Sequence, residues 1–281
     1  MPEGHTLHAL ARDLDTAFAG SAPQVTSPQG RFAEGAALLD GHAVMRAEAH
    51  GKHLLITFDH DLYLNVHLGL IGKFSVTRFA RPLPRPAWDD IPRTGQIRLR
   101  LVNECHVADL RGPTLCAVIT SEEAAAVRGR LGPDPLQPDA DPELAWTRIQ
   151  RSRRSIAELL MDQSIIAGVG NVYRCEVLFR LRLSPFTPGA ELRRRSWQAI
   201  WADLVDLMPL GVASGRIITV PDDVAAARAE LAATGRIGPG DRASSVYKHT
   251  GEACPVCGAT IRTQLVAGRN LFWCGRCQRR H

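Results

Sequence analysis

The sequence predicts an α+β multidomain protein with an antiparallel β-sandwich or barrel behind a leading helix, then a helical region, then a short C-terminal ribbon. Short apolar or alternating segments, separated by Gly, Pro and Asp, run from residue 24 to about 120 and are typical of an all-β domain. Apolar spacing becomes helical beyond the segment 132–142, which contains four prolines. Two cysteine pairs near the C-terminus suit a ribbon.

The N-terminal region combines one helix with a series of strands. Leu7, Leu10, Leu14 and Phe18 recur at helical spacing and predict a helix over 6–18. The predicted strands follow as HLLITF, LYLNVHL, KFSVTRF, QIRLRLV, HVADL and LCAVIT. The remaining predicted elements of this region are a proline-rich loop at 81–92 and a short helix at 121–130.

The rest of the chain is predicted to be mostly helical until the ribbon begins. Its helices are expected at 142–150, 156–165, 172–181, 190–208 and 222–234. The predicted domains are the sandwich at 2–130, a linker at 131–145, the helical domain at 146–240 and the ribbon at 241–281.

Composition excludes several classes of protein. The chain has 281 residues, 45% of them hydrophobic and 22% charged, which is typical of a globular protein and argues against disorder. No apolar run reaches the roughly 18 residues of a membrane-spanning helix. The N-terminus lacks the basic start and apolar stretch of a signal peptide. We therefore expect a cytoplasmic protein without membrane contact.

Basic charge is concentrated in particular segments. The formal net charge is +5, yet residues 236–281 alone carry eight Lys and Arg against two Asp and Glu. Further basic clusters lie at 148–154 and 193–195. This distribution is typical of a protein that binds a polyanion, of which nucleic acid is the commonest. Charge alone would equally fit a set of solvated surface arginines.

Four of the seven cysteines have the spacing of a metal site. Cys254 and Cys257 form one CxxC pair, Cys274 and Cys277 form the other, and sixteen residues separate the pairs. Four thiolates suit one tetrahedral Zn²⁺ and leave no open position for catalysis. We therefore predict a single structural Zn²⁺, with two redox-active dithiols as the alternative. The intervening segment predicts two strands joined by a turn at 267–270.

A glycine-rich turn between two predicted helices is a candidate phosphate site. Gly168 and Gly170 lie in AGVGN, and glycine accepts the positive φ that tight turns require. Asn171 is a favoured helix N-cap, and a helix N-terminus attracts phosphate. The neighbouring basic clusters favour phosphate binding over a plain helical hairpin in which the glycines only turn the chain.

The N-terminus is a candidate nucleophile. Removal of Met1 would expose the secondary amine of Pro2, and an α-amino group has a pKa of about 8, below the value of about 10.4 for lysine. A neutral amine can attack an aldehydic carbon to form an iminium, and Glu3 lies beside it to shuttle protons. These residues alone do not establish such chemistry, because many proteins begin with Met-Pro.

Several motifs together resemble the formamidopyrimidine-DNA glycosylase / endonuclease VIII family over nearly the whole chain. They are PEG at 2–4, GKHLL at 51–55, HLGLIG at 67–72, LMDQSIIAGVGNVYRCEVLF at 160–179 and AGRNLFWC at 267–274. The resemblance implies a β-sandwich with a leading helix, a helix–two-turn–helix domain and a zinc ribbon. It also implies a bifunctional DNA glycosylase/AP lyase of base-excision repair that removes oxidised bases.

The resemblance implies catalytic roles at three matching positions. Pro2 matches the nucleophile, Glu3 the catalytic acid, and Lys52 a turn lysine that contacts phosphate near the lesion. Attack of the Pro2 amine on C1′ would expel the base and leave an iminium. That cation acidifies C2′, so that β,δ-elimination can release first the 3′ and then the 5′ phosphate.

The resemblance also implies how the chain would hold damaged DNA. A target base inside a duplex must be flipped out, and a wedge must fill the gap that it leaves. Leu70 and Arg111 match the residues that the family inserts into this gap. Asn171 and Arg269 match its phosphate clamps, one from the helical turn and one from the ribbon.

Some residues depart from the family's pattern. PEG is the endonuclease VIII-like form and suggests oxidised pyrimidines, but His5 and Thr6 stand where those enzymes have Pro and Glu. Thr6 therefore supplies no second acid. Residues 112–114 follow Arg111 without an aromatic wedge, and Ala157 replaces a lysine of the formamidopyrimidine branch. An actinobacterial-type endonuclease VIII-like branch fits these residues best.

We therefore expect a monomer whose partner is damaged double-stranded DNA, with single-stranded DNA left open, and which associates with the nucleoid when bound. Two alternatives stay open: a non-catalytic or abasic-site-only DNA-binding protein on the same scaffold, and a structural zinc protein that binds RNA or protein. The presence of both Pro2 and Glu3 favours an enzyme, because phosphate clamping needs neither.

Overall fold

The computed structural model describes residues 2–241 and 243–279, which divide into two compact units between Arg130 and Leu131. Met1, whose removal would expose Pro2, lies outside the described residues, as do Arg242 and Arg280 of the basic C-terminal segment. Within the described ranges, no helix is both long and apolar enough to cross a membrane.

The N-terminal unit is an antiparallel sandwich, as predicted. Its elements are α1 (Gly4–Phe18), β1 (Gln24–Thr26), α2 (Ala33–Leu39), β2 (Val44–His50), β3 (His53–Phe58), β4 (Tyr63–His67), β5 (Lys73–Arg78), β6 (Ile97–Val102), β7 (His106–Arg111), β8 (Leu115–Ile119) and α3 (Ser121–Arg130). One sheet has the strand order β1-β6-β7-β5 and the other β2-β3-β4-β8. Every pairing between neighbouring strands is antiparallel.

Burial explains which of these elements the sequence predicts. Leu7, Leu14 and Phe18 of α1 are each only 1% exposed and share one core with both sheets. The helix begins at Gly4, two residues before the predicted start. By contrast α2 is absent from the prediction, because its seven residues bury only Ala36 and Leu39 and show no sustained periodicity.

The second unit is helical and ends in a two-stranded ribbon. Its elements are α4 (Pro142–Ile149), α5 (Ile156–Leu159), α6 (Asn171–Arg180), α7 (Arg194–Ser214), α8 (Pro221–Thr234), β9 (Ile261–Val266) and β10 (Arg269–Cys274). Helix α4 begins inside the segment predicted as a linker, and the helices and the ribbon share one hydrophobic core. A separate ribbon domain at 241–281 stays a prediction.

Two predicted helices differ from those observed. The helix predicted at 156–165 ends at Leu159, because Asp162 forms a local turn: its carboxylate accepts the Ser164 N–H at 3.0 Å and its carbonyl accepts that of Ile165. The helix predicted at 190–208 starts at Arg194 and continues through Pro209 to Ser214.

The buried carboxylate of Glu176 ties helix α6 to the segment that precedes the ribbon. Glu176 is fully buried and accepts backbone N–H groups from Ser245, Val246 and Tyr247 at 2.8–2.9 Å. The hydroxyl of Thr219 donates to the same carboxylate at 3.1 Å. These four hydrogen bonds compensate the desolvation of the carboxylate.

Candidate functional site

Lys52 lies in a tight turn at one end of the N-terminal sandwich. Strands β2 and β3 are joined by Gly51 and Lys52 alone, since His50 pairs with His53. Gly51 has φ +56°, a conformation that favours glycine at the first position of a two-residue hairpin turn. The hairpin thus projects Lys52 beyond the strand ends.

A second turn at the same end exposes two apolar side chains. Strand β4 ends at His67, whose ring lies 5.2 Å from that of His53 at the start of β3, so the following turn adjoins the Lys52 turn. Leu70 is 49% exposed and Ile71 is 87% exposed. Gly69 has φ +68°, and a Cβ there would meet the Thr114 hydroxyl at 1.9 Å. Glycine is therefore required where this turn approaches the next one.

Arg111 ends strand β7 at the same end of the sandwich, opposite Lys73 at the start of β5. Its guanidinium donates to Asp109 at 2.8 Å and to the carbonyl of Thr94 at 2.9 Å. Arg100, nearly buried, also binds Asp109 through two hydrogen bonds of 2.7 and 2.9 Å. Asp109 would therefore keep a cationic partner if Arg111 turned away. We call the turns 51–52, 69–71 and 112–114 the turn end of the sandwich.

Helix α1 directs Pro2 and Glu3 towards the turn end. The N–H of Gly20, just after the helix, donates to the carbonyl of Val44 at 2.8 Å, and the carboxylate of Asp15 accepts the Ala47 N–H at 2.9 Å. The helix therefore runs antiparallel to β2. From Asp15 its N-terminus extends about 18 Å, comparable to the ~13 Å from Ala47 to the β2–β3 turn.

Pro2 and four further predicted residues lie towards the same end of the sandwich. Glu3, Lys52, Leu70 and Arg111 all belong to segments that end at the turn end. Glu3 is fully buried, although its carboxylate does not cap the helix, and Pro2 is partly exposed. The buried Glu3, the partly exposed Pro2, the two cations and the exposed Leu70 therefore lie on segments that meet at one end of the sandwich.

A pair of partly buried histidines, His53 and His67, lies next to the Lys52 turn and is absent from the predicted site. His67 accepts the N–H of Gly69 on Nδ1 at 3.1 Å, which leaves its proton on Nε2. Burial, then the nearby His53 and Lys52, lower the pKa of His67 from 6.5 to about 4. Burial also lowers the pKa of His53, which bonds Asn65. The quoted motif HLGLIG contains His67, but only its burial reveals that it stays neutral.

These pKa shifts predict an acid-sensitive N-terminal unit. Between pH 6.5 and about 4 the unfolded chain protonates His67 while the folded chain does not, so the unfolded state binds more protons. The free energy of unfolding should therefore fall as the pH falls through this window. Urea titrations at pH 7 and pH 5 measure the free energy of unfolding, and its decrease between these pH values should be smaller in His67→Gln than in the wild type. His8→Gln, at a partly exposed site on α1, is the control; an equal loss in both variants would contradict the prediction.

In the second unit, the glycine turn is braced by Gln163. Its carboxamide donates to the carbonyl of Val169 and accepts the Gly168 N–H, both at 3.0 Å. Gly168 has φ +85°, as predicted, whereas Gly170 is extended at φ −122°. Gly170, and not Asn171 as predicted, is the N-cap, and Asn171 is the first residue of α6.

Asn171 is held by the ribbon and does not cap its helix. Its carboxamide donates to the carbonyl of Asn270 at 2.9 Å and accepts from Arg174, which is fully buried. Arg174 also donates to the carbonyl of Val266 at 3.2 Å, on the other ribbon strand. Asn171 is therefore attached to the residue that follows Arg269, so the two predicted clamps lie close together.

Arg269 is exposed at the start of β10. It pairs with Val266, so the turn predicted at 267–270 contains only Ala267 and Gly268. Both have positive φ, +53° and +69°, as the commonest two-residue hairpin turn requires. Arg269 is therefore anchored in a strand beside the turn.

The four ribbon cysteines fit a tetrahedral metal. Zn–S bonds of about 2.3 Å place tetrahedral sulfurs about 3.8 Å apart. The Sγ atoms of Cys254 and Cys277 are 3.8 Å apart, those of Cys257 and Cys274 are 3.5 Å apart, and all four lie within 4.8 Å of one another. With four thiolates the site is closed and structural.

Three family models match successive parts of the chain. Residues 1–116 match the formamidopyrimidine-DNA glycosylase N-terminal domain, and residues 131–222 match the H2TH domain of the same glycosylase. Residues 251–280 match a zinc finger found in FPG and IleRS, which together with the cysteine geometry identifies a structural Zn²⁺ site.

Curated relatives and solved structures agree with these models. The chain is 49% identical over 283 residues to Endonuclease 8 1 of Mycobacterium tuberculosis, covering 99% of this chain and all of the relative. It is 32% identical to Probable endonuclease 8 2 of Streptomyces coelicolor, covering 99% and 94% of the two chains. The fold matches that of Lactococcus lactis Fpg, solved with DNA containing an abasic site, with a TM-score of 0.77 at 21% identity over 99% of this chain and all of that chain. The chain therefore belongs to the formamidopyrimidine-DNA glycosylase / endonuclease VIII family, whose members are DNA glycosylases with AP lyase activity.

Proposed function

We propose that this chain excises oxidised bases, chiefly pyrimidines, from duplex DNA through a Schiff base on Pro2 and cleaves the resulting abasic site by β,δ-elimination. The observation that carries the proposal is the convergence of Pro2, Glu3, Lys52, Leu70 and Arg111 at the turn end of the sandwich. A DNA-binding protein without catalysis would need the cations Lys52 and Arg111 but neither Pro2 nor Glu3.

Pro2 supplies the nucleophile once Met1 is removed. Pro2 precedes Glu3, the N-cap of α1, so its amine lies at the positive end of the helix dipole. This field disfavours the ammonium form, and it increases the fraction of neutral amine near pH 7. The amine attacks C1′ of the lesion nucleotide, and the bond from C1′ to the base breaks.

Glu3 is proposed to deliver the proton that the departing base needs. The side chain is fully buried, and Glu3 directly follows Pro2 in the chain. Neighbouring residues in this chain are His5 and Thr6, and His5 Nε2 lies 3.2 Å from the Thr6 hydroxyl. Glu3 is the one carboxylic acid among residues 2–6, and it is therefore the proposed proton donor.

Leu70 and Arg111 are proposed to fill the gap that the flipped-out base leaves in the DNA duplex. Leu70 and its neighbour Ile71 are exposed apolar side chains, suited to insertion between base pairs. Arg111 first exchanges its bonds to Asp109 and Thr94 for contacts with the DNA. Lys52 contacts a phosphate beside the lesion, and the attraction between its positive charge and the phosphate strengthens DNA binding.

Asn171 and Arg269 are proposed as phosphate contacts of the second unit. Arginine suits a ribbon-borne contact because its planar fork binds phosphate through two hydrogen bonds. Arg269→Ala should weaken binding roughly tenfold for damaged and undamaged duplex alike, and reduce the salt dependence by about one phosphate contact. Binding isotherms across a salt series measure both quantities. Arg276→Ala, which removes a ribbon arginine away from the hairpin turn, is the control, and curves for Arg269→Ala that superimpose on the wild type would refute the contact.

Borohydride trapping tests the whole proposal. Duplexes carrying an oxidised pyrimidine, 8-oxoguanine or a pre-formed abasic site are incubated with protein and sodium borohydride, which reduces the iminium to a stable amine. We expect covalent adducts with the oxidised pyrimidine and the abasic site. Glu3→Gln should be trapped on the abasic site only, because an abasic site offers its aldehyde without base removal.

Other outcomes would select an alternative function. Adducts that form only on the abasic duplex with wild-type protein would indicate an abasic-site lyase. Binding to every duplex without any adduct would indicate a non-catalytic DNA-binding protein. A stronger adduct with 8-oxoguanine than with the pyrimidine would overturn the proposed substrate class while leaving the mechanism in place.

A further inference from the structure

We propose that the N-terminal unit carries a second metal site, formed by His42, Asp59 and His60, which takes a divalent transition-metal ion. The ligand atoms of these three residues lie within 4.8 Å of one another. They belong to two segments that are separated in the chain by strands β2 and β3. His42 lies in the connection between α2 and β2, and Asp59 and His60 lie in the turn between β3 and β4. The inference is independent of the proposed excision chemistry.

Asp59 and His42 are already held together. His42 Nδ1 lies 2.5 Å from Asp59 Oδ1, and the other carboxylate oxygen accepts the N–H of Ala43 at 3.2 Å. The N–H of Asp59 donates to the carbonyl of Ala43 at 2.9 Å. These backbone bonds hold the two segments side by side without any metal, so the ligands are pre-positioned and binding requires little ordering.

His60 completes the set. Its ring lies 5.3 Å from that of His42 at an interplanar angle of 80°, and its ligand atom lies within 4.8 Å of those of His42 and Asp59. His60 and Asp61 both have positive φ, at +54° and +61°, which costs non-glycine residues roughly 1 kcal/mol each. Glycine would form this turn without that strain and asparagine with less of it, so His60 lowers the local stability of the turn.

The chemistry of the donors selects the ion. Two imidazoles and one carboxylate suit Zn²⁺, Co²⁺ and Ni²⁺ better than Mg²⁺ or Ca²⁺, which prefer oxygen ligands. Three protein ligands leave the remaining coordination positions to water, unlike the closed site of the four ribbon cysteines. His42 and Asp59 are each about one-third exposed and His60 is exposed, so the ion exchanges freely with solvent. A bound ion would clamp the β3–β4 turn to the α2–β2 connection.

Titration with Ni²⁺ tests the site. Tag-free full-length protein, shown by metal analysis to carry one ribbon zinc, is titrated with Ni²⁺ in a calorimeter and its melting temperature is recorded. We expect one equivalent of Ni²⁺ to bind at micromolar concentration and to raise the melting temperature. The zinc content should stay at one equivalent throughout, which separates this site from the ribbon.

His60→Asn is the decisive variant, because asparagine tolerates positive φ and the turn should keep its shape. It should bind Ni²⁺ at least tenfold more weakly and lose the thermal shift. His42→Gln should behave in the same way, and His8→Asn on α1 should bind as the wild type does. No binding beyond the ribbon zinc, or an unchanged affinity in His60→Asn, would overturn the proposal.

Discussion

Protein that keeps an extension on Pro2 should bind damaged duplex normally but lose strand cleavage by at least about 1000-fold, or ~4 kcal/mol of transition-state stabilisation. The reason is that an amide at this position cannot attack C1′, whereas the phosphate contacts stay in place. The comparison is between protein with an N-terminal tag and the same protein after a protease has released Pro2. Mass spectrometry identifies the N-terminus of each sample.

The same tag at the C-terminus is the control, since it leaves the Pro2 amine free. Strand cleavage by Pro2→Gly should be slower than by protein with a free Pro2 and faster than by the N-terminally tagged protein. The reason is that glycine keeps a primary amine but not the secondary amine of proline. Full cleavage by protein shown to retain Met1 would remove Pro2 from the mechanism.

Cys254→Ser should unfold the ribbon and reduce DNA affinity further than Arg269→Ala does. A structural zinc contributes about 10–16 kcal/mol of apparent binding free energy to a small finger, comparable to the 5–15 kcal/mol stability of a whole domain. Loss of one thiolate should therefore release the metal and disorder the β9–β10 hairpin. Metal analysis and binding isotherms on the same sample measure the two effects together.

Cys105→Ser is the matched control, because Cys105 is a partly buried cysteine outside the zinc set. It should keep one zinc and wild-type affinity. If Cys254→Ser loses its zinc yet binds DNA as the wild type does, the ribbon makes no contact that matters for affinity.

Elements with strong local patterns could be predicted from the sequence. Leu7, Leu10 and Leu14 define α1 because each third or fourth residue enters the core. The zinc set could be predicted because each CxxC pair supplies two ligands from one turn, so that only one long-range contact remained to be inferred. The sandwich followed from alternation, although its strand order did not.

Features that depend on distant partners could not be predicted. Asn171 has the sequence preference of an N-cap, but its carboxamide binds Asn270 on the ribbon, a contact that no local pattern contains. Arg111 matches a wedge, and only the fold shows that Asp109 and Thr94 hold it. The low pKa of His67 likewise arises from burial, which depends on how β4 packs.

The burial of Glu176 affects how this chain can be recombined with its relatives. A crossover that replaced the segment 245–247 with one of different backbone path would remove the three backbone donors of the buried Glu176 carboxylate and leave it the hydroxyl of Thr219, at a cost of several kcal/mol. Glu176 and the segment at 245–247 must therefore be inherited together. A chimaera that exchanges the ribbon should place its junction before residue 245 only when the donor segment supplies the same three N–H groups.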